Sequence, residues 1–401
     1  MNKLLLKGVA AAFCMATMFG TTACGDDDDL VNVEPPVEET QDVILEGEIT
    51  SDMTLKAADN NLLRGFVYVT DGVTLTIEPG TVIKGEKSSK GSLIVERGGK
   101  LIAEGTAEKP IVFTSDQPKA SRTYGDWGGL ILCGKSIVNN TAGEAQIEGG
   151  PRSYYGGKDP EDNSGIVKYV RIEFAGYPLE PNKEINGLTC GGVGGTVNAK
   201  HLIAYKGWDD EFDTDYGFQG KLQFLLGVRD PKHADTSKSN GFESDNDADG
   251  SNNTPLTTPV FSNVTLIGPF YGESAGKTEN DIFYVTEDAA NGAKGGSFQA
   301  AMHIRRNSSL NVYNSIFVGW PYGLYLQNAN VGAVVKNVIF AGMWENFKDE
   351  TSQNYFQTAD LSNLTYASSN DIIAKDGDYT SIVADKIDGA DFSDTALNDA
   401  F

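Results

Sequence analysis

The residues best placed to do chemistry are carboxylates. Asp209, Asp210, Asp213 and Asp215 fall within one short stretch, and Asp245, Asp247 and Asp249 follow in the string Asp245-Asn246-Asp247-Ala248-Asp249-Gly250. The second string has the one, three, five spacing and sixth-position glycine of a calcium loop, in which oxygen ligands wrap a hard cation. Its twelfth position is Leu256, so the bidentate acid is missing. Glu243 or the Asp209 group would have to complete a shell of about six to eight oxygens. The competing reading is that these acids hydrogen-bond their own backbone at turns. Packed together and desolvated, they would repel one another, so some must face water or a Ca2+ ion.

Other chemistry is thinner. A calcium-assisted lyase would need a nearby base, and Lys206, Arg171 and Arg229 are candidates. A glycoside hydrolase needs two carboxylates about 5 to 9.5 Å apart, which so acidic a chain supplies almost anywhere. His201 alternates with apolar neighbours as a strand residue would, and His233 and His303 have no evident partners. No nucleophile elbow or phosphate loop is present, so the balance falls against catalysis. Tyr154, Tyr155, Trp208 and Tyr216, with Trp320 and Tyr322, are candidate sugar-stacking contacts, the alternative being core filling. With Lys+Arg 32 against Asp+Glu 56 and a net charge of -24, the chain lacks the basic footprint that nucleic acid requires.

These residues must be positioned by strands. From Val43 onward, short alternating runs such as Val73-Thr74-Leu75-Thr76-Ile77 and Ser92-Leu93-Ile94-Val95 are broken by Gly, Asp and Asn. Leu75, Ile77, Glu78, Gly80, Ile83 and Glu86 match Leu93, Val95, Glu96, Gly98, Leu101 and Glu104, which predicts that one such unit is one coil. Val312-Tyr313-Asn314 matches Val335-Lys336-Asn337, and Phe261-Ser262-Asn263 repeats the pattern. Asn263, Asn314 and Asn337 are therefore expected to stack as an amide ladder. Such periods mean a solenoid, and the expected fold is an all-β, right-handed parallel β-helix over residues 43–342. Loops over 139–165 and 229–258 interrupt it, and residues 343–401 are expected to cap it. Cys133 and Cys190 are expected as buried thiols, a disulfide being the alternative.

Residues 1–23 have the charged start and short apolar centre of an export leader. Thr21-Thr22-Ala23-Cys24 resembles a bacterial lipobox, which implies lipidation of Cys24. The run Asp26 to Asp29 opens an acidic tether over 24–42 and resembles a surface-export signal. Several further strings occur in order: Gly125-Asp126-Trp127-Gly128-Gly129, Tyr169-Val170-Arg171-Ile172-Glu173, Gly194-Gly195-Thr196-Val197-Asn198, Asp209-Asp210-Glu211-Phe212-Asp213 and Asn240-Gly241-Phe242-Glu243-Ser244. Together they resemble a family of exported β-helix lipoproteins of Bacteroidetes, also found in spirochaete outer membranes. The resemblance implies a lipid-anchored protein on the outer-membrane surface, inserted through acylated Cys24. The expected role is a structural, adhesive (adhesin) or glycan-binding module with glycans or other surface proteins as partners. A calcium-assisted polysaccharide lyase or glycoside hydrolase is the alternative.

Overall fold

The structure is a computed structural model that describes residues 40–147, 152–180, 183–184, 186–194, 198–269, 295–328, 332–349 and 359–367. The expected leader, Cys24, nearly all of the tether and much of 343–401 lie outside the described residues. An alternating run cannot satisfy its backbone or bury its apolar side chains alone. Here each run lies parallel on the run one coil earlier, and 22 strands share one continuous sheet. The chain is a right-handed parallel β-helix.

Three walls enclose the core. The first runs through Met53–Leu55, Thr74–Ile77 and Lys100–Glu104, the second through Val82–Gly85 and Ile111–Ser115. From Gly165–Glu173 onward, single bent strands cover both: Asn198–Tyr205, Lys221–Val228, Val260–Ile267, Asn311–Val318, Val334–Ala341 and Asp360–Ala367. The third wall comprises Ser92–Val95, Gly129–Cys133, Leu188–Gly191, Phe212–Thr214, Phe242–Ser244, Ala300–Arg305, Tyr322–Gln327 and Glu345–Asp349. Parallel pairing thus runs past residue 342 as far as Ala367, so that part of the expected cap continues the cylinder.

Inward side chains pile in registered columns. On the third wall Leu130, Leu188, Phe212, Phe242, Met302 and Leu324 follow one another and are all nearly inaccessible to solvent. Each such burial contributes about 1.5–3 kcal/mol. Cys190 faces this core while Cys133 packs on the outer side with Ile131, so the two thiols stay free. Burial pushes the Cys190 thiol up to about 12 and raises Cys133 as well.

The bend between the first and second walls falls on a left-handed residue in every long strand. Asn263, Asn314, Asn337 and Asn363 have φ of 58, 51, 56 and 53°, a conformation in which Asn is tolerated better than most residues. The Asn337 amide donates to Asn314 Oδ1 at 2.9 Å, and the Asn363 amide donates to Asn337 Oδ1 at 3.0 Å. Asn263 occupies the same corner but takes its hydrogen bond from Gln223 at 3.0 Å. Earlier coils fill the corner with rings: Tyr169 stacks on His201 at 4.2 Å, and His201 on Phe224 at 4.7 Å.

One expected repeat is a coil and the other is not. Val312 pairs with Val335 as the asparagine strings require, but Leu75 pairs with Leu101 rather than with Leu93. Leu93 belongs to the third wall, above Val67. The matching strings share a local shape instead, since each ends in a turn closed by a glycine with φ of 87°, Gly80 in one and Gly98 in the other. A strand followed by a tight turn recurs on neighbouring walls, so the match reports local conformation and not stacking.

Replacing Asn337 by Ala removes both amide rungs and puts a poor residue at a left-handed corner. The expected loss is about 1–3 kcal/mol in urea unfolding, with Asn337→Gly losing less.

Candidate functional site

On the third wall the middle residue of each short strand points outward, because its flanking Phe, Leu and Met point into the core. Pairing then sets Thr189, Asp213, Glu243, His303, Tyr325 and Lys348 in one outer column. Adjacent coils lie about 4.8 Å apart, so these side chains must interact. His303 Nδ1 sits 3.2 Å from Glu243 Oε1 and its Nε2 sits 3.1 Å from Gln327 Oε1. Its ring stacks flat on Tyr325 at 4.7 Å. Arg305 Nε donates to Asp245 Oδ1 at 2.7 Å and lies 3.2 Å from Glu243 Oε1, while Arg306 Nη1 donates to Asp245 Oδ2 at 3.0 Å. The Asn186 amide donates to Asp213 Oδ2 at 3.1 Å.

The carboxylates are not equivalent. Burial holds Asp215 well above the usual carboxylate range, and the charges of Asp245 and Asp213 add to that. Asp210 is raised in the same way, by burial and then by Asp209, Glu243 and Asp213. Burial also raises Asp245, with Glu243 adding to the rise and Arg305 and Arg306 opposing it. Glu243 goes the other way: burial disfavours its charge, but the His303 hydrogen bond and the Arg305 field outweigh that and hold it below the ordinary value. Burial works against the Arg305 cation too, yet Glu243 and Asp245 keep it firmly protonated. A carboxylate whose charged form is favoured therefore shares a face with carboxyls whose protonated form is favoured.

The remaining candidates are spread out. Asp209 and Asp210 sit at the turn before Phe212, where Ser239 Oγ donates to Asp209 Oδ1 at 3.0 Å and the Asn240 N–H donates to Asp210 Oδ1 at 2.5 Å. Asp247 Oδ1 accepts from the N–H groups of Asp249 and Ser251 at 2.9 and 3.0 Å, a turn residue serving its own loop. Asp249 is exposed. Two of the three acids in the calcium-like string are thus engaged internally, Asp245 by guanidinium groups and Asp247 by its own turn. Among the described residues no group of three or more His, Cys, Asp or Glu side chains is disposed to hold a metal ion.

Among the aromatic candidates, Trp208 is buried beneath Tyr124 and His233, and Tyr155 is buried with Ile147 and Cys133, so neither offers a free face to a sugar. Trp320 is core. Tyr154 is exposed, Tyr216 is half-buried, and Tyr322 lies beneath the Lys348 ammonium at 5.3 Å. Of the candidate bases, Lys206 sits 5.2 Å from the Tyr205 ring, and the two arginines pair away from the acids of the outer column. Arg229 is fully buried and donates to the carbonyls of Gly207 and Trp208 at 2.8 and 2.6 Å, and Arg171 lies 3.3 Å from buried Glu173. Sequence reasoning missed Arg305, Arg306 and the partners of His303. The available signal was His303-x-Arg305 alternating with Met302 and Ile304, two polar residues on the outer side of a buried strand.

The chain matches the family model of the pectate-lyase-like β-helix domain over residues 47–194 and again over 193–385. It belongs to this family. No curated protein and no solved structure matches it.

Two measurements follow from the site. Burial pushes Glu211, 3.4 Å from Arg229, up to about 7 against an ordinary 4.5, with Arg229 opposing. A raised carboxyl keeps its proton longer in the folded state, so its contribution to stability is lost as pH rises from the ordinary value through about 7. The melting temperature should fall between about pH 5 and pH 8, and Glu211→Gln should flatten that fall. Since Asp245 is already paired with Arg305 and Arg306, adding calcium or a chelator should leave the melting midpoint unchanged; a rise with calcium would show that oxygen ligands replace the guanidinium groups.

Proposed function

We propose that this chain is a lipid-anchored β-helix of a bacterial outer-membrane surface that binds polysaccharide along the outer column of its third wall. Membership of a pectate-lyase-like family supports polysaccharide as the ligand class. The leader, Cys24 and the Asp26 to Asp29 run support the anchor and the surface position. The observation that carries the reading is the column itself, in which half-buried Asp213, Glu243, Tyr325 and Lys348 give their coils different polar or aromatic contacts and buried His303 orders Glu243 and Tyr325 from between them. Carboxylate and guanidinium groups already oriented by one another are pre-ordered hydrogen-bond partners for sugar hydroxyls, and Tyr325 offers an apolar ring beside them.

One observation favours a second reading, glycoside hydrolysis. Burial and neighbouring charges push Asp215 toward its protonated form, while His303 and Arg305 push Glu243 on the next coil toward its ionised form, the contrast that a general acid and a nucleophile or base require. A lyase that uses Arg305 as base is less well supported, since that guanidinium keeps its proton. Calcium enters either reading only by displacing Arg305 and Arg306 from Asp245.

The purified full chain is tested on a panel of immobilised acidic and neutral glycans. At least one should bind, and Asp213→Asn, Glu243→Gln and Arg305→Ala should each weaken it by about tenfold or more. A wild-type protein that binds none ends the binding reading. New reducing ends that vanish in both Glu243→Gln and Asp215→Asn would replace binding with hydrolysis. Radiolabelled palmitate should enter the wild-type protein in cells and not the Cys24→Ala variant.

A further inference from the structure

The loop that carries Asp247 and Asp249 lies against the corner at which the third wall ends. Register sets Arg305 on Gln327, so Arg306 and Asn328 follow at one corner on successive coils. There Ala248, Asp249, Gly250, Arg306, Asn307 and Asn328 line a pocket of about 410 Å3, and none of them belongs to the outer column. That volume falls within the range of about 300–1,000 Å3 usual for small-molecule sites, but such sites are mostly apolar. This one is lined chiefly by charged and amide residues and by no ring.

Its walls are fixed from several sides. The buried Asn307 amide donates to the Gly250 carbonyl at 2.6 Å, and the Asn307 N–H donates to the Asn328 carbonyl at 2.7 Å. The Asn246 N–H donates to the Arg306 carbonyl at 3.2 Å. Arg306 has φ of 49°, a left-handed conformation that suits an arginine less well than an asparagine. Asn328 takes that corner on the next coil with φ of 52°. An arginine in the less favourable place points to a use for its side chain. Its Nη1 donates to Asp245 Oδ2 at 3.0 Å, which pins the guanidinium and, among the described residues, leaves Nε and Nη2 without a protein partner.

Asp249 differs from Asp245 and Asp247 in a matching way. Its N–H serves the turn, but among the described residues its carboxylate has no protein partner. Arg306 and Asp249 therefore border one pocket with no ion pair between them within 4.0 Å. Opposite charges kept apart across a gap suit a ligand that carries the complementary pair. We infer that this pocket binds a free α-amino acid with a small polar side chain, its carboxylate on Arg306 and its ammonium on Asp249. Nε and Nη2 present the parallel N–H groups that a carboxylate accepts, and Asn307 and Asn328 border the space left for the side chain. A simple anion would meet Asp249 and a simple cation would meet Arg306, so each is disfavoured. The lack of a lining ring counts against a sugar, which stacks on aromatic faces. Binding here needs no glycan on the outer column.

The test is calorimetric titration of the full chain with the common amino acids and with monosaccharides. Glycine, serine, asparagine or glutamine should bind. The methyl ester and the N-acetyl form of that amino acid, each lacking one charge, should bind about tenfold or more weakly. Asp249→Asn removes an exposed carboxylate and keeps the N–H that donates to Asp247, so the melting midpoint should hold while affinity falls about tenfold or more. Arg306→Lys keeps a cation but loses the fork that holds Asp245 and a ligand together, and it should weaken binding as well. The inference is overturned if no amino acid binds, if the ester and N-acetyl forms bind as well as the parent, or if a monosaccharide binds at this site instead. Affinity unchanged in either variant would also overturn it.

Discussion

The vertical pairing of each strand with the strand one coil earlier governs everything else in this molecule. Parallel ladders satisfy the backbone between coils, and a register slip of one residue would turn every inward side chain outward. Once Phe212, Phe242 and Met302 are committed to the core, Asp213, Glu243 and His303 have no freedom to be anywhere but outside and on top of one another. The outer column is thus a by-product of the core column, built at no extra conformational cost.

That economy creates an electrostatic problem. Asp213 over Glu243, with Asp215 and Asp245 alongside, places like charges about one coil spacing apart on a partly desolvated face. The structure answers in two ways. The next coil supplies His303, Arg305 and Arg306, which hold Glu243 ionised and neutralise Asp245. Asp215 and Asp210, farther from those cations, are pushed toward the protonated form. A face that is uniformly acidic in the chain becomes a graded one in space, running from acids through His and Arg to Tyr and Lys.

Loop placement follows the same constraint. Earlier on the third wall the outer residues Tyr68, Ile94 and Ile131 are apolar and cannot stay in water, and the loop residues Val138, Ile147 and Tyr155 cover them. The lower part is polar, with Glu243 and Tyr325 half-buried and His303 between them buried. An insertion that reads in the sequence as a glycine-rich interruption therefore supplies, in three dimensions, an apolar cover for one end of that face.

Alternation of apolar residues, turn glycines and the asparagine strings were enough to read a parallel β-helix, because strand period and corner conformation are local properties carried by consecutive residues. The ladder from Asn314 to Asn337 was legible for that reason. The match between Leu75 and Leu93 misled for the same reason, since two turns of the same shape on different walls look like one coil repeated. The acids were legible as a group, but their partners were not. Arg305 and Asp245 are 60 positions apart, with an insertion of arbitrary length between their coils, and only the pairing of Phe242–Ser244 with Ala300–Arg305 brings them together. Composition and pattern determined that there would be a solenoid with acids on its flank. Which cations answer those acids and which tyrosines are buried were decided by coil stacking, because contacts between coils depend on register and on loop length and neither is written in any short stretch of chain.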